Sequence, residues 1–146
     1  MPHVEIRSRL VGTASPQEAP PELLLEFPND QILVRDLIAY TLEEQLYNLL
    51  DTQHLEVFHA LRIVQGQYLT VDEMDARWSS NGQTQTGEYH QTLEINLDAE
   101  IEKAWEAFSH GLYLVIVDGL PIDGLDDVIT FMPNSRVTIM RPTSLI

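Results

Sequence analysis

His54 and His59, with Glu56 between them, are the residues whose types come nearest to chemistry, because two imidazoles and a carboxylate can hold a metal or pass a proton. Their spacing argues against it. Ligands on one helix face need intervals of three or four, and an interval of five sets the two rings about 140° apart. On a strand the odd interval puts them on opposite faces. The two histidines read as partly exposed polar side chains. Asp118, Asp123, Asp126 and Asp127 raise a calcium hypothesis, but an EF-hand loop needs alternating ligands, a central Gly and a Glu at its twelfth position. Asp118-Gly119, Pro121 and Gly124 instead carry turn chemistry. His90 and His110 are isolated, and His110 falls in the last turn of an expected helix, where positive charge is favoured. No Gly-x-Ser-x-Gly elbow, phosphate-cradling glycine loop or His-Glu-x-x-His occurs. The expectation is a non-enzyme with no catalytic residue, metal or cofactor.

Composition narrows the classes further. With no cysteine, disulfides, thiolate metal sites and cysteine nucleophiles are excluded together. A length of 146 residues suits a single domain able to bury a core without staples. No apolar run approaches the roughly 18 residues that cross a bilayer, and the opening Met1-Pro2-His3-Val4-Glu5-Ile6-Arg7 lacks a signal-peptide layout. We expect a cytoplasmic protein with no membrane partner. Twenty-three acidic against eight basic residues give a net charge of −15. Such a field repels phosphate backbones, so no nucleic-acid partner is expected, and it favours encounter with a basic protein.

The elements that would position these residues follow from hydrophobic period. Val4, Ile6 and Leu10 alternate with Glu5, Arg7 and Arg9, the pattern of a half-buried strand. A Gly-, Ser-, Ala- and Pro-rich loop from Gly12 to Pro21 leads to a second strand, Glu22 to Phe27, with Leu23, Leu25 and Phe27 inward, and the pair predicts an antiparallel hairpin. From Val34 the period changes: Val34, Leu37, Ile38, Leu42, Leu46, Leu49 and Leu50 form one apolar stripe of a helix, with Asp36 near its positive end. His54 to Val64 fits neither template. Thr70-Val71-Asp72-Glu73 has the form of a capping box and predicts a short helix to about Ser79, followed by a polar loop to Gly87. Asp98 is expected to cap a helix with the stripe Ile101, Ala104, Trp105 and Phe108, Leu97 as its staple and Gly111 as its stop, with Trp105 in the core. The chain closes with a buried strand from Leu112 to Val117, a tight turn, a short strand, a polar turn and the strand Ser135 to Met140.

Strand, strand, helix, an inserted helical block, then a strand pair and a final strand make an α+β arrangement. Residues 1–50 and 111–146 resemble the β-grasp fold of ubiquitin-like proteins, and most nearly the sulfur-carrier type, the molybdopterin-synthase small subunit and the thiazole-synthesis carrier. The residues carrying the resemblance are the opening strand Val4 to Val11, Ile32-Leu33-Val34-Arg35-Asp36-Leu37-Ile38, Val115-Ile116-Val117-Asp118-Gly119, and Ser135-Arg136-Val137-Thr138-Ile139-Met140. It implies a mixed sheet whose first and last strands lie parallel at its centre, a packed helix, and a mostly helical insertion over 51–110. The family's conjugating tail ends in Gly-Gly, whereas this one reads Arg141-Pro142-Thr143-Ser144-Leu145-Ile146. Only residues without side chains thread a narrow activation channel, and Ile146 is β-branched and stiff.

The expected function is therefore a ubiquitin-like protein–protein interaction module, a non-catalytic adaptor or accessory subunit of a bacterial-type system. Its expected contacts are the exposed sheet face, the tail residues Arg141, Pro142, Thr143, Ser144, Leu145 and Ile146, and Trp78 at a loop edge. The partner would be a protein, basic or activating-enzyme-like. Two alternatives stand beside this reading: a sulfur carrier or protein modifier activated at its C-terminus, and a small enzyme with a pocket between insertion and sheet.

Overall fold

Alternating side chains set the first strand and its neighbour. In the computed structural model, which describes residues 3–11, 20–68 and 97–142, β1 (His3–Val11) pairs antiparallel with β2 (Leu23–Glu26), Val4 opposite Leu25 and Ile6 opposite Leu23. Val4, Ile6, Leu25 and Phe27 point inward and are buried, while Glu5 and Leu24 face the other way. The expected hairpin is present.

A short strand missing from the sequence reading, β3 (Gln31–Leu33), precedes the first helix. It pairs antiparallel with β6 (Val128–Thr130) in a separate two-stranded sheet. Three residues give no readable alternation, and their partner lies nearly a hundred positions away, so local pattern could not show them.

Helix α1 (Val34–Tyr47) buries Val34, Leu37, Ile38, Leu42 and Leu46, the stripe read from the sequence. No side chain caps its start. Instead the Val34 and Arg35 N–H groups donate to the Asp127 and Leu125 carbonyls, both at 2.9 Å. Main chain from a distant loop thus satisfies donors that a helix leaves open. The helix runs into a π-helical turn, Asn48–Thr52, and His54 (φ 56°) takes the left-handed conformation that ends it. The segment that fitted neither template is helix α2 (Val57–Gln65), burying Ala60, Leu61, Ile63 and Val64.

Helix α3 (Leu97–Ser109) already includes Leu97 and Asp98, the residues expected as its staple and cap. Asp98 is therefore no N-cap; it lies in the first turn, where its charge favours the dipole. The stop is as expected. Gly111 (φ 76°) donates to the Phe108 carbonyl and Leu112 to the Ala107 carbonyl, the paired bonds of a Schellman ending. Trp105 is only half-buried: its Nε1 donates to the Arg35 carbonyl at 2.9 Å, and the Arg35 guanidinium lies 5.4 Å from the ring centre.

Strands β4 (Leu114–Val117) and β5 (Leu120–Pro121) form a two-residue hairpin at Asp118 (φ 51°) and Gly119 (φ 86°). Both central residues are left-handed, the geometry that matches strand twist. The last described strand, β7 (Arg136–Pro142), runs parallel to β1 and antiparallel to β4. The five-stranded sheet has the order β2-β1-β7-β4-β5. Chain beginning and chain end are central neighbours, Ile6 opposite Val137. The fold is α+β with a mixed sheet, and its core joins Ile6, Val115, Val117, Val137 and Ile139 to apolar residues of the three described α-helices.

Candidate functional site: the outer face of the sheet

Strand parity divides the five-stranded sheet into two unlike faces. The inner face is the core wall. The outer face is read from the register: one row crosses Leu24, Glu5 and Arg136, the next Arg7, Thr138, Ile116 and Pro121, the third Arg9, Met140 and Leu114. These side chains are half-buried or exposed, with Leu24 at 68% and Leu114 at 40%. An antiparallel or mixed sheet stable with one face in water needs polar residues there. Here that face divides. Toward β2 it carries the ion pairs beside an exposed Leu24, and toward β4 and β5 it is apolar.

The ionic part is internally paired. Arg7 Nη2 donates to Glu5 Oε1 at 3.2 Å and to Glu22 Oε1 at 3.5 Å, and Arg136 Nε lies 3.4 Å from the same Glu5 oxygen. The hydrogen bond from the Glu22 side chain, and then the Arg136 and Arg7 charges, hold the Glu5 carboxyl below its usual value against an opposing effect of desolvation. Arg9 differs. It is exposed and makes no ion pair among the described residues, although it stands in the same row as Met140 and Leu114.

Beneath the sheet, polar side chains hold the helices in place. Ser8, on the inner parity of β1, donates to Gln67 Oε1 at 2.5 Å and accepts from Gln45 Nε2 at 3.1 Å. Gln67 Nε2 donates to Gln45 Oε1 at 2.7 Å, and Gln45 Nε2 returns a bond to Gln67 Oε1 at 3.2 Å. Glu100, also buried, accepts from Gln65 and from the Tyr68 hydroxyl. Beside this network is a small, mainly apolar void bounded by Ile38, Thr41, Tyr68, Tyr113 and Ile139. Burial raises the Tyr113 pKa, and its hydroxyl donates to the Ala104 carbonyl at 2.7 Å.

The other candidates have structural places. His54, Glu56 and His59 are exposed and do not border the void. Asp118 accepts from the Arg136 N–H and the Ser135 hydroxyl, both at 2.8 Å, fastening the hairpin turn to β7. Asp126 pairs with Arg35 at 2.7 Å, and Asp127 accepts from the Gly124 N–H at 3.0 Å. Turn chemistry accounts for these carboxylates. Among the described residues no cluster of three or more His, Cys, Asp or Glu could hold a metal, and no helix is long and apolar enough to cross a membrane. Arg141, expected in the contact tail, is half-buried and donates to the Gly66 carbonyl at 2.9 Å, at the C-terminal end of α2. Pro142 closes β7 opposite Val11. Trp78, Thr143, Ser144, Leu145, Ile146, His90 and the capping box at Thr70 lie outside the described residues.

Sequence reasoning placed Arg9, Ile116 and Met140 on strands but did not assemble them, because the assembly needs the β1–β7–β4 register. Comparison with protein-family models, curated proteins and solved structures finds no match to this chain.

Proposed function

We propose that this chain is a ubiquitin-like β-grasp interaction module, a non-catalytic adaptor or accessory subunit that receives a protein partner on the outer face of its sheet. One observation carries the reading: a mixed sheet ordered β2-β1-β7-β4-β5, with the first and last described strands parallel at its centre and the described helices packed into the core on one face. That order is what the resemblance implies. The opposite face bears Leu114, Ile116, Met140 and Pro121 as a group toward one edge, partly open to water. Apolar side chains gathered beside a polar border are the composition of an interface core with its rim. Fold analogy alone does not give function, so this face supplies the place where a partner would dock.

Affinity capture from the native host with the wild-type protein and with Leu114→Asp tests the proposal. Leu114 is already 40% exposed, so its replacement leaves the core intact. The expected outcome is a defined partner held by the wild type and lost by the variant at unchanged thermal stability. Equal recovery by both proteins would contradict it.

A further inference from the structure

We infer that the outer face takes a short apolar segment carrying one or two carboxylates, with Arg9 as their counter-ion. The inference rests on the docking role proposed for that face and adds the chemistry of its occupant.

The chain holds eight cationic residues against twenty-three acidic ones. In such a protein a carboxylate is easily supplied to any surface guanidinium. Arg7 and Arg136, two neighbours on this face, have theirs in Glu5 and Glu22. Arg9 has none among the described residues. Its row neighbours are Met140 and, beyond it, Leu114, and the adjoining row contributes Ile116 and Pro121. An unpaired guanidinium at the border of an apolar group is arranged to receive a carboxylate from outside, where partial exclusion of water strengthens the bond. The side chain also has an apolar stem that can cover part of the segment.

Whole-molecule charge sets a second condition. A field of −15 repels any partner that is strongly acidic overall, while the local site attracts carboxylates. The occupant is therefore locally acidic within a partner that is neutral or basic as a whole. This agrees with the basic partner expected from net charge and differs from it at the point of contact.

Two synthetic peptides of equal length, one alternating Leu with Glu and the other Leu with Lys, provide the probe. Each is titrated into isotope-labelled full-length protein, and amide shifts are followed by NMR. The Leu/Glu peptide is expected to move the signals of Arg9, Met140 and Leu114. Arg9→Glu should weaken it at least about tenfold, since it sets like charges in contact. Arg9→Gln, which keeps a neutral polar side chain on the strand, should weaken it by a smaller factor. Lys103→Glu, on the exposed side of α3, should leave affinity unchanged within about twofold, the ordinary effect of a charge remote from the contact. Tighter binding of the Leu/Lys peptide at the same residues overturns the charge preference and leaves the docking face standing. Shifts elsewhere, or none with either peptide, overturn both.

Discussion

Glu5 sits among Arg7, Arg136 and Glu22 on the outer face, and its carboxyl titrates below the ordinary 4.5. A lowered folded-state pKa means that its interactions stabilise the fold above about pH 4.5 and fade as pH falls through the lowered value. NMR titration of the Glu5 carboxyl should show the depressed midpoint, and Arg136→Ala should move it upward by removing one guanidinium. A midpoint unchanged by Arg136→Ala would discount that pairing. Beneath the sheet, Gln67→Met removes the acceptor of the Ser8 hydroxyl and the donor to Gln45 Oε1, and leaves only the bond from Gln45 Nε2 to Ser8. Such orphaned groups cost about 1–3 kcal/mol each, so urea unfolding of the variant should show a loss of at least that order. Neither group of residues was legible as a group. Ser8, Gln45 and Gln67 read in the sequence as a strand hydroxyl and two scattered amides, and only packing brings them within hydrogen-bond reach.

Among the elements, those with long periodic patterns were legible and those built by distant contacts were not. The α1 stripe, the β1 alternation and the Gly111 stop carry their causes locally, in side-chain spacing and in one residue's conformational freedom. Strand β3 and the start of α1 do not. The helix begins on main-chain carbonyls of Leu125 and Asp127, and the Arg35–Asp126 pair lies beside them. Asp98 shows the opposite error, a residue with the right chemistry set one place inside the helix. Two substitutions test these accounts. Gly111→Ala forces a Cβ into the left-handed region and should cost about 1–2 kcal/mol in thermal or urea unfolding, although no atom crowds the site. Asp118→Ala loses two hydrogen-bond acceptors that join the β4–β5 turn to β7. It should destabilise by about 1–3 kcal/mol and increase amide exchange at Arg136.

For the whole molecule, the decisive arrangement is the juxtaposition of β1 and β7, which closes the sheet from the two ends of the chain. Parallel pairing across so long a separation makes the contact order high, so folding is expected to be slow beside that of a helical bundle of equal length. The same juxtaposition sets Arg9 beside Met140 and Leu114 and gives the outer face its two parts, one with self-paired charges, the other apolar with a guanidinium at its border that makes no ion pair among the described residues. The sequence revealed the alternating strands and the strong net charge. It could not reveal this local exception to the acidity, because Arg9 lies more than a hundred positions from Leu114 and Met140 and meets them only through register. A photo-crosslinking residue placed at position 114, and in parallel at exposed Glu102 on α3, tests the docking face most directly in the native host. Position 114 should yield one discrete adduct with a partner protein, weakened by Arg9→Glu, and position 102 should yield none of that product. A discrete adduct from position 102 with none from position 114 would contradict the assignment of the outer sheet face.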